Sequence, residues 1–178
     1  SLMAGNARMR ILLISGTDSV VGDLLCADCQ IEQFALLAGR FTQGVVFVGA
    51  EIKGTLAFRE GTSHVVWGDG AWLNLSEARV DIIVADGCDL VLAKSECKGR
   101  PTMTNEFVPT VLTGARYRTI LPGRGNIAER PEVTTKSLLD VQDTRVLKKF
   151  IISANEAYNP QPYEQLATAL SVAGKTHE

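Results

Sequence analysis

The chain is poor in aromatic residues, at 6% of its 178 positions, and holds only 2 histidines and 4 cysteines. So few aromatics exclude a bulky aromatic core, and the interior must be built from small and aliphatic side chains in thin layers. His177 lies in the tail, which leaves His64 alone to serve a catalytic site, and no Ser-His-Asp or Cys-His arrangement can be assembled around it. A net charge of −2 gives neither a basic footprint for nucleic acid nor an acidic surface that would imitate one. No apolar run approaches the roughly 18 residues that a membrane-spanning helix needs. The N-terminus lacks the basic, apolar and small-residue succession of a signal peptide. Without such a signal, the cysteines are expected to be reduced thiols in a cytoplasmic protein. Ser1-Leu2 ahead of Met3 reads as a cloning remnant, which places the expected natural start at Met3.

What is present is a recurring phrase. A small residue precedes a large apolar one by two positions in Cys29-Gln30-Ile31, Gly39-Arg40-Phe41 and Ala50-Glu51-Ile52. The large residues are spaced ten and then eleven positions apart. Self-similarity at a short fixed period predicts stacked coils, because a small residue at an equivalent place in each coil lets its neighbours approach. The hydrophobic fraction of 46% and charged fraction of 21% suit an ordinary globular domain, and 16 glycines suit frequent turns.

Arg10 to Ser15 reads as a buried strand, followed by turn residues at Gly16-Thr17-Asp18-Ser19. From there to about Lys98, period-2 alternation dominates. Leu25, Ala27, Cys29 and Ile31 are expected to face one way, as are Val46, Val48, Ala50 and Ile52, then Leu56 and Phe58, then Val80, Ile82 and Val84. Short strands at this spacing fit a β-solenoid with about two ten-residue phrases per coil, or, as the alternative, an antiparallel β-sandwich. The phrase favours the solenoid over residues 1–98. Residues 99–135, broken by Pro101, Pro109, Pro122 and Pro131, read as an irregular connector or cap, with short strands at Phe107–Leu112 and Tyr117–Leu121. Residues 136–178 read as helical. Val146, Leu147, Phe150, Ile151, Ala154 and Tyr158 keep helical spacing, Asn159-Pro160-Gln161-Pro162 stops that helix, and Tyr163, Leu166, Ala167 and Leu170 line the next. Such an α-helical hairpin would cap the last coil, whose uncovered edge invites association.

Two stretches resemble a known family. Gly44-Val45-Val46-Phe47-Val48-Gly49-Ala50-Glu51-Ile52-Lys53-Gly54 resembles repeats of bacterial proteins related to the pentapeptide-repeat solenoids. Asn159-Pro160-Gln161-Pro162-Tyr163-Glu164-Gln165-Leu166-Ala167 looks like a segment that follows those repeats. The resemblance implies a right-handed quadrilateral β-solenoid followed by a helical segment, with membrane spans further downstream in some members. Several members carry a membrane-associated oxidoreductase label. No cofactor motif accompanies that label here, and the strict five-residue pattern is not kept, so the activity is not carried over. The chain ends where the family's helical segment would continue, which marks it as an expected piece of a longer protein.

Each candidate site has a plain structural reading beside it. Cys26 and Cys29 form a C-x2-C, but Cys88 and Cys97 are spaced too widely to complete a zinc ribbon, and strict alternation sends Cys26 and Cys29 to opposite faces. Cys29 therefore reads as a small core residue. Ser15 to Ser19 lacks the glycine fingerprint of a phosphate loop and reads as a turn. Arg124, in Gly123-Arg124-Gly125-Asn126, is a candidate anion-binding residue. His64, Trp67, Asp69 and Trp72 form the one aromatic-rich spot, a candidate carbohydrate groove; the alternative places the tryptophans in a corner of the stack. The expectation is a non-enzymatic scaffold or protein-interaction module, with a β-helix lyase or hydrolase acting on carbohydrate as the alternative. No cofactor and no metal are expected. The expected partner is a protein, with homo-oligomerisation open, and neither nucleic acid nor a membrane within this chain.

Overall fold

The computed structural model describes residues 1–60, 63–85, 87–95, 97, 104–121 and 160–172. Its strands are β1 (Leu2–Met3), β2 (Arg8–Val21), β3 (Leu24–Leu25), β4 (Gln30–Phe41), β5 (Gly44–Val46), β6 (Glu51–Ala57), β7 (Arg59–Glu60), β8 (Ser63–His64), β9 (Val66–Trp67), β10 (Trp72–Asn74), β11 (Arg79–Val84), β12 (Thr110–Val111) and β13 (Arg116–Leu121). A 3-10 turn spans Gly87–Leu90, and one helix, α1, spans Gln161–Val172.

The short and the long strands alternate along the chain and collect in two separate parallel sheets. The first sheet runs β1-β3-β5-β10-β12 and the second β13-β11-β6-β4-β2, with β9 added beside β4. Every pairing in both sheets is parallel, which is the mark of a solenoid and excludes the antiparallel sandwich. The only antiparallel strand pair among the described residues is the small β7–β8 hairpin, which folds back over β4 and β2. One turn of the solenoid takes 21 or 22 residues, as Leu2, Leu24 and Val45 stand on one another.

Between the sheets the core is made of columns. Leu24, Val45 and Leu73 form one, and Ile31, Ile52, Val80 and Tyr117 another, all of them buried. Each buried aliphatic side chain contributes roughly 1.5–3 kcal/mol by leaving water, so a column repeated through the stack adds a favourable contribution at every level, against the entropy of ordering the chain. At the far end Trp67 is fully buried between Phe41 and Phe58, with ring centroids 5.6 and 6.0 Å away, and its Nε1 donates to the Asp89 carbonyl at 2.6 Å.

The small-x-large phrase continues further than the sequence alone revealed. Cys29 and Ala50 are followed in the same place by Ala78 and Ala115, and Ile31 and Ile52 by Val80 and Tyr117. Insertions carrying the β7–β8 hairpin and the Gly87–Leu90 turn separate these later copies and hide the period. Parallel stacking continues past the boundary expected at residue 98, since β12 and β13 complete a fifth level within the expected connector.

The expected facing of side chains needs correction at each corner. Phe47 and Ala50 both point inward, as do Cys26 and Cys29, Leu75 and Ala78, and Leu112 and Ala115. A tight turn lies between the members of each pair, closed by bonds such as Ala50 N–H to Phe47 O at 3.1 Å and Ala78 N–H to Leu75 O at 3.0 Å. The turn brings its first and fourth positions to the same side, so strict alternation fails there. Leu25 and Val46, expected inside, therefore face out. A bulge between Val80 and Ile82 does the same in β11: Val80 and Ile83 enter the main core, while Val84 and Ile82 join Leu36, Ala38 and Ala57 in a second cluster on the other side of the sheet.

The helix α1 packs on β13, the last strand of its sheet, with Leu166 buried and Tyr163 against the core. Ala167, expected on the apolar stripe, is exposed. The first helix of the expected hairpin, residues 143–158, and Arg124 lie outside the described residues.

Candidate functional site

The corners between the two sheets carry a ladder of left-handed residues. Asn6, Asp28, Gly49, Glu77 and Gly114 occupy the same turn position on successive levels, with φ of 54°, 53°, 67°, 56° and 71°. A turn residue with positive φ favours glycine, asparagine or aspartate, so Asp28 suits its place, while Glu77 is held there by the stack rather than by preference. The hydrogen bonds of that stack run from Asn6 N–H to Ala27 O, Asp28 N–H to Val48 O, Gly49 N–H to Ser76 O and Glu77 N–H to Thr113 O, at 2.8–2.9 Å. The glycines make room for the acids. The Asp28 carboxylate lies where a Cβ on Gly49 would be, and the Glu77 carboxylate where a Cβ on Gly114 would be.

Just beyond the corner, the middle residue of each small-x-large phrase points out of the long-stranded sheet. Arg8, Gln30, Glu51, Arg79 and Arg116 stand side by side in register. The next outward row is Glu32, Lys53, Asp81 and Arg118, and it neutralises itself. Glu32 pairs with Arg8 at 3.0 Å and with Lys53 at 3.2 Å, and Asp81 pairs with Arg118 at 2.6 Å. The hydrogen bond from Lys53, helped by Arg8, holds the Glu32 carboxyl below its ordinary pKa. Between corner and face runs a cleft of about 400 Å³, lined by Asp28, Gln30, Glu51, Glu77, Arg79 and Arg116 over a floor that includes Gly49 and Gly114.

The opposite face differs. None of the residues in β1, β3, β5, β10 and β12 is charged. Met3, Leu25, Val46, Asn74 and Val111 form its outward row, and Trp72 lies beside them with its indole against Gly44. Met3 is 78% exposed, Val111 41% and Trp72 40%.

The expected carbohydrate groove does not assemble. Trp67 is a core side chain, Trp72 faces solvent on the uncharged sheet, Asp69 is exposed in the turn between β9 and β10, and His64 lies in the β7–β8 hairpin. What the sequence suggested as one spot is divided by the wall of the solenoid, since residues five apart around a corner reach opposite sides of a sheet. Cys26 and Cys29 are also placed anew. Both are buried in the core, against the expectation of opposite faces, and the Cys29 thiol donates to the Ala4 carbonyl. Burial, with Cys29 beside it, pushes the Cys26 thiol up to about 12, so it is a poor nucleophile. Cys88 and Cys97 form a disulfide with Cα atoms 5.7 Å apart, correcting the expectation of four reduced thiols. The chain reverses between them at Ala93-Lys94, and that closure cannot be read from their spacing.

The residues missed by sequence reasoning are Glu51, Arg79 and Arg116. Their signal was the neglected x of the phrase itself. Among the described residues, no group of His, Cys, Asp and Glu is arranged to hold a metal ion, and no helix is long and apolar enough to cross a membrane. Comparison with protein families, characterised proteins and solved structures finds no match to this chain.

Proposed function

We propose that this chain is a protein-interaction scaffold, a stiff rod that presents two unlike faces to its surroundings. The observation that carries this reading is the uncharged outer face of the short-stranded sheet. A row of Met3, Leu25, Val46, Asn74 and Val111, polar only at Asn74 and flanked by Trp72, crosses the stack with no charge among the strand residues. An uncharged, largely apolar surface of this kind is characteristic of protein contacts, and an exposed tryptophan suits such a contact. The parallel ladders support the scaffold role, since each level is held by backbone bonds to two neighbours and the row keeps a fixed strand spacing of about 4.8 Å. Kinship with the pentapeptide-repeat solenoids is part of the proposal, supported by the 21- or 22-residue turn and by the small residue kept at each corner.

The test is affinity capture from native lysate with the wild type, Val46→Asp and Arg79→Gln side by side. A partner recovered by the wild type and Arg79→Gln, and lost with Val46→Asp, supports the proposal. Turnover of a screened polyuronate with no partner recovered overturns it in favour of carbohydrate chemistry.

A further inference from the structure

The two arginines at the cleft are in an unusual position for surface charges. Arg79 and Arg116 are direct partners in the β11–β13 register, which places their Cα atoms about 4.8 Å apart, and both are exposed. Like charges directly opposite each other in a sheet oppose pairing. In the neighbouring row Glu32 answers Arg8 and Lys53, and Asp81 answers Arg118, while Arg10 of β2 and Arg40 of β4 stand exposed and singly, without an ion pair among the described residues. Arg79 and Arg116 have no ion-pair partner among the described residues. Two guanidinium forks, side by side on rigid strands and open to solvent, match the two oxygens of a carboxylate.

A bare anion meets opposition there. Glu51 is the in-register neighbour of Arg79 on β6, Glu77 lies two residues before Arg79 at the corner, and both line the same cleft, with Asp28 beyond them. A ligand that answers both arginines and acids must carry both signs within a few ångströms. The cleft, at about 400 Å³, has room for a small molecule. We propose that this corner cleft binds the zwitterion of a free α-amino acid, its carboxylate between Arg79 and Arg116 and its ammonium toward Glu51 and Glu77. The acids over Gly49 and Gly114 then have a use for their left-handed backbone: they are held at the rim of a binding site. This site lies on the charged face and does not depend on the scaffold reading of the other.

The test is a titration of the whole chain followed by NMR of the arginine Nε–Hε signals, with L-alanine, acetate, methylammonium and sulfate as separate probes at matched ionic strength. L-alanine is expected to shift the Arg79 and Arg116 signals saturably, with acetate and sulfate about tenfold weaker or more. Arg79→Gln and Arg116→Gln should each weaken L-alanine by about tenfold, and Glu51→Gln should weaken it less, while Lys94→Gln leaves it unchanged. Arg116→Gln should melt no lower than the wild type, because it removes a like-charge neighbour, so lost binding is not lost folding. Sulfate or acetate binding as tightly as L-alanine, binding unchanged in both arginine variants, or no saturable shift at tens of millimolar overturns the proposal.

Discussion

The side-chain amide of Gln165 donates to the main-chain carbonyl of Tyr117 at 2.6 Å, and one helical turn earlier Gln161 donates to Ala115 at 2.8 Å. Ala115 stands just before β13 and Tyr117 is its second residue, and among the described residues no further strand pairs with the outer edge of β13. Two glutamines spaced i and i+4 thus stand in for the missing neighbour, and α1 closes the edge with side chains where a coil would use backbone.

That substitution makes a first prediction. Gln165→Ala should lower stability by about 1 kcal/mol, the usual net worth of such a bond. Gln165→Glu should lower it further at neutral pH, since a carboxylate then faces a carbonyl. Urea unfolding measures both, and amide exchange should quicken in β13 before β4. Equal stability for all three chains would show that the helix is held by Leu166 alone.

Gly54 and Gly5 should respond in opposite ways. A Cβ on Gly54 would run into the backbone carbonyl of Gln33 on the neighbouring strand, whereas one on Gly5 meets nothing within 4 Å. Backbone cannot step aside as a flexible side chain does, so Gly54→Ala is expected to lose about 3 kcal/mol or more. Gly5→Ala should be neutral or slightly stabilising. The comparison is one of urea midpoints.

The two tryptophans should separate just as clearly. Trp67 is fully buried and bonded to Asp89, while Trp72 is 40% exposed. Trp67→Ala is expected to cost about 3–5 kcal/mol, and Trp72→Ala less than about 1 kcal/mol of stability. Emission from a Trp72→Phe chain should be blue-shifted and resist quenching by iodide. Ready quenching there would mean that Trp67 is not in the core.

The cysteines allow a chemical check and a pH check. Iodoacetamide should label no thiol in the native chain, two after denaturation, and the remaining two only after reduction, as expected from buried Cys26 and Cys29 and bridged Cys88 and Cys97. The Cys26 thiol rises from an ordinary 9.0 to about 12, so the folded chain holds its proton more tightly than the unfolded one. Its contribution is complete below pH 9 and is lost as pH rises toward 12. Tyr117, raised by burial, acts in the same direction at still higher pH. Cys26→Ala should flatten the fall in urea midpoint above pH 9. An unchanged slope would place Cys26 in water.

Much of this architecture is legible because stacking demands it at each level. The small residues Cys29 and Ala50, two before Ile31 and Ile52, announced parallel coils. The later copies at Ala78 and Ala115 were obscured because insertions change chain distance without changing register. Hydrophobic pattern also misplaced Leu25 and Val46, since a two-residue corner reverses parity and carries no apolar signal of its own. The candidate site was the least legible part. Arg79 and Arg116 are separated by a long insertion in sequence and become neighbours only when β13 docks on β11.

The sequence by itself determined that small and large residues recur at a short period, which favours stacked coils over a sandwich, because burial and close approach act within each short phrase. Tertiary structure alone decided which of those coils touch, which cysteines meet, which tryptophan is buried and which charges stand unpaired. Each of these depends on register between distant strands, and register is fixed by columns of packed side chains and corner turns that no local stretch of chain contains.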